Sequence, residues 1–163
     1  LVYGQLPDEA AARLDAFSRV EQGLPLTAVE ARFVFARLDA QPGPLPDFTT
    51  ALVGMRNQYT YSPTERYEHI YLNDNFYAWQ CLDGVEKGLA DVDRCHYVQV
   101  AEDLYLFVWR EKIIPTLGAI LIDLQQMRTD GKIMGYQGSD FGALSNFPVG
   151  ASAKILNVTR HQE

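Results

Sequence analysis

Tyr105, Phe107, Trp109 and Glu111 alternate along Leu104-Tyr105-Leu106-Phe107-Val108-Trp109-Arg110-Glu111 and so share one face of an extended strand. If that face turns toward an aromatic-lined interior, desolvation disfavours the charged form of Glu111 and makes it a usable proton donor. The stretch Trp109-Arg110-Glu111-Lys112 also fits a polar strand end with solvated charges. Tyr59-Thr60-Tyr61 puts two phenols on one face of a strand, about 7 Å apart, a spacing that suits holding a carboxylate or phenolate between hydroxyl donors. Tyrosine is a good strand former, so the same pair also reads as packing. On the next strand Tyr67, His69 and Tyr71 share a face; His69 taken alone reads as a structural histidine. Together these polar tips on apolar bodies suit an aromatic metabolite. The stretch Gly135-Tyr136-Gln137-Gly138-Ser139-Asp140-Phe141-Gly142 reads as a mobile loop at a barrel mouth, with Tyr136 placed to meet a ligand.

Other chemistries lack their residues. No His-x-His or His-Glu-x-x-His spacing exists for a metal, so none is expected. The glycine-rich stretch matches neither a P-loop nor the dinucleotide fingerprint, and no cofactor is expected. A Gly-x-Ser-x-Gly nucleophile motif is absent, which counts against acyl transfer. Cys81 and Cys95 are too few for a disulfide framework, although one bridge between them stays open.

The elements that must position these groups follow from periodicity. Pro7, Asp8 and Glu9, then Ala10, Leu14 and Phe17 at helical spacing, predict an amphipathic helix that stops near Gly23. Thr27-Ala28-Val29-Glu30 fits a capping box and predicts a second helix, ended by Pro42, Pro44 and Pro46. Residues 1–47 are therefore expected to form a helical extension with a proline-rich connector, and 48–163 a separate β unit. From Leu52 onward the period is near 2, with recurring turn signals. Eight strands are predicted at 54–61, 66–72, 75–82, 93–101, 104–111, 118–124, 131–137 and 147–158. An antiparallel series of that kind closes into a mainly β barrel with room for one small ligand. Leu104–Trp109 is apolar on both parities, so something must cover its outer face: the two N-terminal helices, or a homodimer interface.

The chain has 163 residues, enough for one core, and its composition is 47 % hydrophobic and 12 % aromatic. A formal charge of −7 opposes binding to nucleic acid or an anionic membrane. No apolar run approaches the roughly 20 residues needed to span a bilayer, and a soluble, cytoplasmic protein is expected.

Residues 56 to 160 resemble the C-terminal domain of the molybdenum cofactor biosynthesis protein F (MoaF) family. The resemblance rests on Tyr59-Thr60-Tyr61-Ser62-Pro63, Tyr67-Glu68-His69-Ile70-Tyr71-Leu72-Asn73, Trp79-Gln80-Cys81-Leu82, Gly88-Leu89-Ala90-Asp91, Leu104 through Lys112, Gly131-Lys132-Ile133 and Asn146-Phe147-Pro148-Val149-Gly150-Ala151. It implies a lipocalin- or calycin-like barrel around a small ligand. A more distant resemblance, to phenolic acid decarboxylases, implies a mechanism that needs no cofactor. Tyr59 and Tyr61 match that family's tyrosine pair, which orients a carboxylate, and Glu111 matches its acid, which protonates the substrate. Aligning a Ser-Gly segment on Gly84 puts Gln80 at the position of its arginine. Glutamine lacks the fixed charge and bidentate fork that grip a carboxylate; Arg66 or Arg110 could substitute from another strand, nothing in the sequence requires it, and hydroxycinnamate decarboxylation as such is not carried over. The resulting expectation is a cofactor-independent lyase or isomerase, decarboxylase- or cyclase-like, with Glu111, Tyr59 and Tyr61 catalytic. Gln80, Tyr67, His69, Tyr71, Tyr105, Phe107, Trp109 and Tyr136 are the expected substrate contacts. The alternatives are a non-catalytic carrier or sensor barrel, and an interaction module with a filled interior.

Overall fold

The computed structural model describes residues 1–36 and 43–160, so Pro42, the end of the predicted second helix and His161 lie outside the described residues. Eleven strands and two helices follow in the order β1 (Val2–Gln5), α1 (Glu9–Ala12), α2 (Ala16–Glu21), β2 (Glu30–Phe33), β3 (Asp47–Phe48), β4 (Met55–Ser62), β5 (Glu65–Tyr71), β6 (Phe76–Asp83), β7 (Ala90–Ala101), β8 (Leu104–Glu111), β9 (Thr116–Asp123), β10 (Arg128–Gln137) and β11 (Asp140–Val158). Each strand from β4 to β11 pairs antiparallel with the next, β11 returns to β4, and β7 pairs with β8. The result is the expected closed eight-stranded barrel, in which no member keeps an unpaired edge. The short β3 lies beside β7.

Register fixes which side chains point inward. Tyr105, Phe107, Trp109 and Glu111 lie opposite Ile122, Ile120, Gly118 and Thr116 of β9, while Tyr97 and Cys95 of β7 face Phe107 and Trp109. The inward set is aromatic because alternate positions of a pleated strand face one side, and these strands place their large rings at odd numbers. One half of the barrel is solid. Leu52, Tyr59, Tyr71, Tyr97, Phe107 and Ile122 are fully or almost fully buried there, and Tyr97 and Trp109 both stack on Phe107 at centroid distances of 5.6 and 5.4 Å.

The N-terminal arm departs from its sequence reading. The described residues contain two helices, but both come from the segment expected to form one. Asp8 caps α1 by accepting from the Ala11 amide at 2.9 Å, and Asp15 caps α2 by accepting from the Ser18 amide at 2.8 Å. Asp15 restarts the helix because a short acidic side chain satisfies free amides better at a first turn than in a helix interior. The described part of the segment expected to form the second helix holds strand β2 instead. The Thr27 hydroxyl accepts from the Val29 amide at 3.2 Å in a local turn, and Glu30-Ala31-Arg32-Phe33 alternates outward and inward against β1. This hairpin, not a pair of helices, covers the outer face of β8: Val2, Leu6, Val29, Ala31 and Phe33 pack on Leu106, Val108, Leu117 and Ala119.

The glycine-rich stretch is likewise a strand hairpin. β10 and β11 run through it and turn tightly at Gly138 and Ser139. Its tip is pinned to the arm: the Tyr136 hydroxyl donates to the Pro7 carbonyl at 2.5 Å, Phe141 packs edge-on against Tyr136, and Arg13 lies over the Phe141 ring. No helix among the described residues is long and apolar enough to cross a membrane.

Candidate functional site

The other half of the barrel holds a cavity of about 420 Å³. Its walls are Tyr61 of β4, Tyr67 and His69 of β5, Tyr77 and Trp79 of β6, and Trp109 and Glu111 of β8. Ile133, Phe147 and Val149 of β10 and β11 close the far side, and Glu65, Glu86, Ile114 and Tyr136 reach the rim. Tyr61, Tyr67, His69, Trp109, Glu111 and Tyr136 thus meet in one chamber. Tyr77, Trp79, Thr116, Ile133, Phe147 and Val149 join them without having been singled out. The first two carried a legible signal, since Tyr77-Ala78-Trp79 repeats the alternating aromatic spacing of Tyr59 and Tyr61.

Several expected contacts lie elsewhere. Tyr59 points inward but into the solid half, where its hydroxyl shares a 2.6 Å hydrogen bond with Tyr71 and accepts from Asn57 Nδ2 at 3.2 Å. Burial pushes its pKa up to about 12. Tyr71, Tyr105 and Phe107 also belong to the packed core and do not line the cavity. Gln80 faces out of the barrel, because it sits opposite Glu68 between the inward pairs Tyr67–Cys81 and His69–Trp79. Its amide donates to Glu68, which is also paired with Arg56, and that ion pair holds the Glu68 carboxyl below its usual range. Arg66 binds Asp83, and Arg110 lies under the arm, where it donates to the Val29 carbonyl at 3.4 Å. No lysine or arginine is among the described residues that line the cavity.

Glu111 is the acidic centre of the chamber. Its Oε1 accepts from Trp109 Nε1 at 2.9 Å. Burial pushes its pKa up to about 7; the indole bond works against that rise, and the nearby charges of Asp93, Glu86 and Asp91 reinforce it. A similar pair lies alongside, where Trp79 Nε1 donates to Asp93 at 2.9 Å. Lys112 holds Asp91 at 2.5 Å and Asp93 at 3.4 Å, so that lysine is already committed to other carboxylates. His69 is 4 % exposed, its Nδ1 has no hydrogen-bond partner, and burial lowers its pKa to about 3, which keeps the ring neutral. Burial raises the Tyr61 and Tyr67 phenols above their ordinary value, so both remain protonated donors; Tyr67 donates to Glu86 at 2.8 Å. Among the described residues no group of three or more His, Cys, Asp or Glu side chains is placed to hold a metal ion. Both cysteines are free and buried.

The Trp109 ring fits because Gly118 lies directly opposite; a Cβ at 118 would overlap its six-membered ring. Gly118→Ala is expected to cost about 1–3 kcal/mol by overpacking and to push the indole off Glu111. Urea unfolding together with the indole emission checks this, and unchanged stability and emission would contradict it.

Glu111 also predicts a pH dependence of stability. Between its ordinary value of 4.5 and its folded value of about 7, the native chain keeps a proton that the unfolded chain has released. Stability therefore falls as pH rises through that window, by at most about 3 kcal/mol from this group. Glu111→Gln cannot titrate, so the wild-type minus variant difference in unfolding free energy is expected to slope downward from pH 4.5 to 8. A flat difference would place the carboxyl in bulk water.

Comparison with known proteins agrees with this architecture. Residues 46–159 match the family model described as the MoaF C-terminal domain. The curated Protein MoaF of Klebsiella aerogenes is 87 % identical over 166 residues; the match covers 100 % of this chain, which spans only 62 % of that relative's length. A solved structure of a candidate beta-lactamase from Burkholderia vietnamiensis aligns with a TM-score of 0.52 at 16 % identity, over 64 % of this chain and 95 % of that one; it speaks for the fold alone. The chain belongs to the MoaF family, and residues 46–159 are its MoaF C-terminal domain.

Proposed function

We propose that the barrel takes up a small, mostly apolar or aromatic metabolite and catalyses a lyase or isomerase step without a cofactor, with Glu111 moving the proton. One observation carries this reading: a buried carboxyl, bonded to the Trp109 indole, lines an aromatic cavity, and burial pushes its pKa up to about 7. A general acid or base works best when its pKa is close to the operating pH, and such groups concentrate at functional clefts. Tyr61 and Tyr67 supply hydroxyls to orient the ligand, and Trp109 holds the acid in place. Isomerisation or cyclisation fits better than loss of a bound carboxylate, because the described lining offers no cation to grip one.

A non-catalytic carrier or sensor is the second reading. It is favoured by the position of Tyr59, whose hydroxyl is tied to Tyr71 and leaves Tyr61 without its expected partner in the chamber. The two readings separate in heavy water. The protein is incubated with a metabolite extract in D₂O, and mass spectrometry searches for a compound that gains deuterium or changes mass only when protein is present. The enzyme reading expects such a compound, and its loss with Glu111→Gln. Compounds that co-purify with the barrel but never exchange would leave the carrier.

A further inference from the structure

The cavity carries negative charge without a compensating positive group. Glu65, Glu86 and Glu111 all contribute to its lining, and no lysine or arginine is among the described lining residues. Glu86 acts on Glu111 electrostatically, so these two carboxyls share one field. Around them stand the rings of Trp79 and Trp109, whose faces attract cations. His69 also lines the chamber, and burial keeps its ring neutral, so it adds no positive charge there. An anionic ligand would meet repulsion from the carboxyls and no positive side chain to offset it. An ammonium meets carboxylate acceptors, aromatic faces and a neutral imidazole together.

We infer that the chamber selects a protonated amine carried on an apolar or aromatic body and rejects the corresponding carboxylate. This rests on the reading of the cavity as a ligand site and adds the charge class of the ligand. It also changes the mechanistic picture drawn from the decarboxylase resemblance, in which paired phenols orient an anion. Here the carboxyl that moves the proton also faces the ligand's positive end, and Tyr61 and Tyr67 bracket the apolar body.

The chain provides its own reporter, because it has two tryptophans and both line the chamber. Titrating 3-phenylpropylamine, 3-phenylpropanol and 3-phenylpropanoate at pH 8 while following indole emission compares one skeleton in three charge states. The amine is expected to bind at least about 10-fold more tightly than the alcohol and about 100-fold more tightly than the carboxylate, since each tenfold step corresponds to one modest charge interaction. Glu111→Gln combined with Glu86→Gln is expected to reduce the amine-over-alcohol preference below about 3-fold; far-UV circular dichroism and the urea midpoint confirm the fold of the variant. Two results overturn the inference: a carboxylate bound as tightly as the amine, or a preference that survives both substitutions. If the alcohol or the carboxylate binds and the amine does not, the charge class fails while the cavity remains a ligand site. If none of the three binds, the cavity reading fails and this inference falls with it.

Discussion

Phe107→Ala is expected to lose about 3–5 kcal/mol of folding free energy, the largest stability effect of any single truncation in the barrel. Phe107 is 0 % exposed and sits at the centre of the solid half. Its ring stacks on Tyr97 and Trp109 and meets Tyr77 edge-on at 4.9 Å and Tyr71 at 5.3 Å. Truncation removes the apolar transfer energy and leaves a void that the neighbouring rings, fixed by the strands that carry them, cannot collapse into. The lost aromatic contacts, each worth up to about 1 kcal/mol, place the loss toward the upper end of that range. Denaturant midpoints at an unchanged slope measure the loss. Phe107→Leu should recover a large part of it, because leucine refills most of the volume without the ring geometry. A loss below about 1 kcal/mol for the alanine variant, less than cavity formation normally costs, would mean that the interior is not close-packed there. The indole emission should also change, since Trp109 loses its stacking partner.

That core was legible because strand periodicity is strict. Once Leu104 through Glu111 was read as a strand covered on both sides, its odd-numbered face had to carry Tyr105, Phe107, Trp109 and Glu111 together, and it does. The eight strands emerged from alternation and turn residues for the same reason. The arm did not, because two local signals competed. Thr27 and Glu30 satisfy a capping-box spacing, whereas the alternation in Glu30-Ala31-Arg32-Phe33 covers only four residues and becomes decisive only through pairing with β1 and burial on β8.

Face is encoded in parity, but depth along the barrel axis is not. Tyr59 and Tyr61 share a face, yet one enters the solid half and the other the chamber, and nothing in Tyr59-Thr60-Tyr61 distinguishes them. Gln80 illustrates a different failure. Counting back from Gly84 crosses the irregularity at which the pairing passes from Arg66–Asp83 to Tyr67–Cys81, and an extra residue there reverses every face beyond it. Gln80 consequently supports Glu68 outside the wall. The missing cation follows from the same geometry: Arg66 and Arg110 occupy outward positions on strands whose inward neighbours line the cavity.

Glu111→Gln is expected to lower turnover of the compound identified in heavy water by about 10²–10⁴-fold, the usual contribution of a positioned acid or base. The amide keeps shape and still accepts from Trp109 Nε1, so binding should survive better than rate. The wild-type pH profile carries more information than the rate alone. If the protonated carboxyl donates in the slow step, turnover falls as pH rises through about 7; if the carboxylate abstracts a proton, turnover rises through the same point. Trp109→Phe separates Glu111 from other titrating groups. The indole bond favours the ionised carboxyl, so its removal should move the midpoint upward, whichever limb is active. Asp93, Asp91 and Glu86 also face Glu111, and the indole of Trp79 and the ammonium of Lys112 offset the first two. Asp93→Asn should move the midpoint the opposite way, by removing a negative charge that holds the proton on Glu111. Opposite displacements from two neighbours on different strands identify the titrating group as the carboxyl between them. A midpoint that ignores both substitutions, or turnover that survives Glu111→Gln, would assign the chemistry to another residue and leave this cavity as a binding site only.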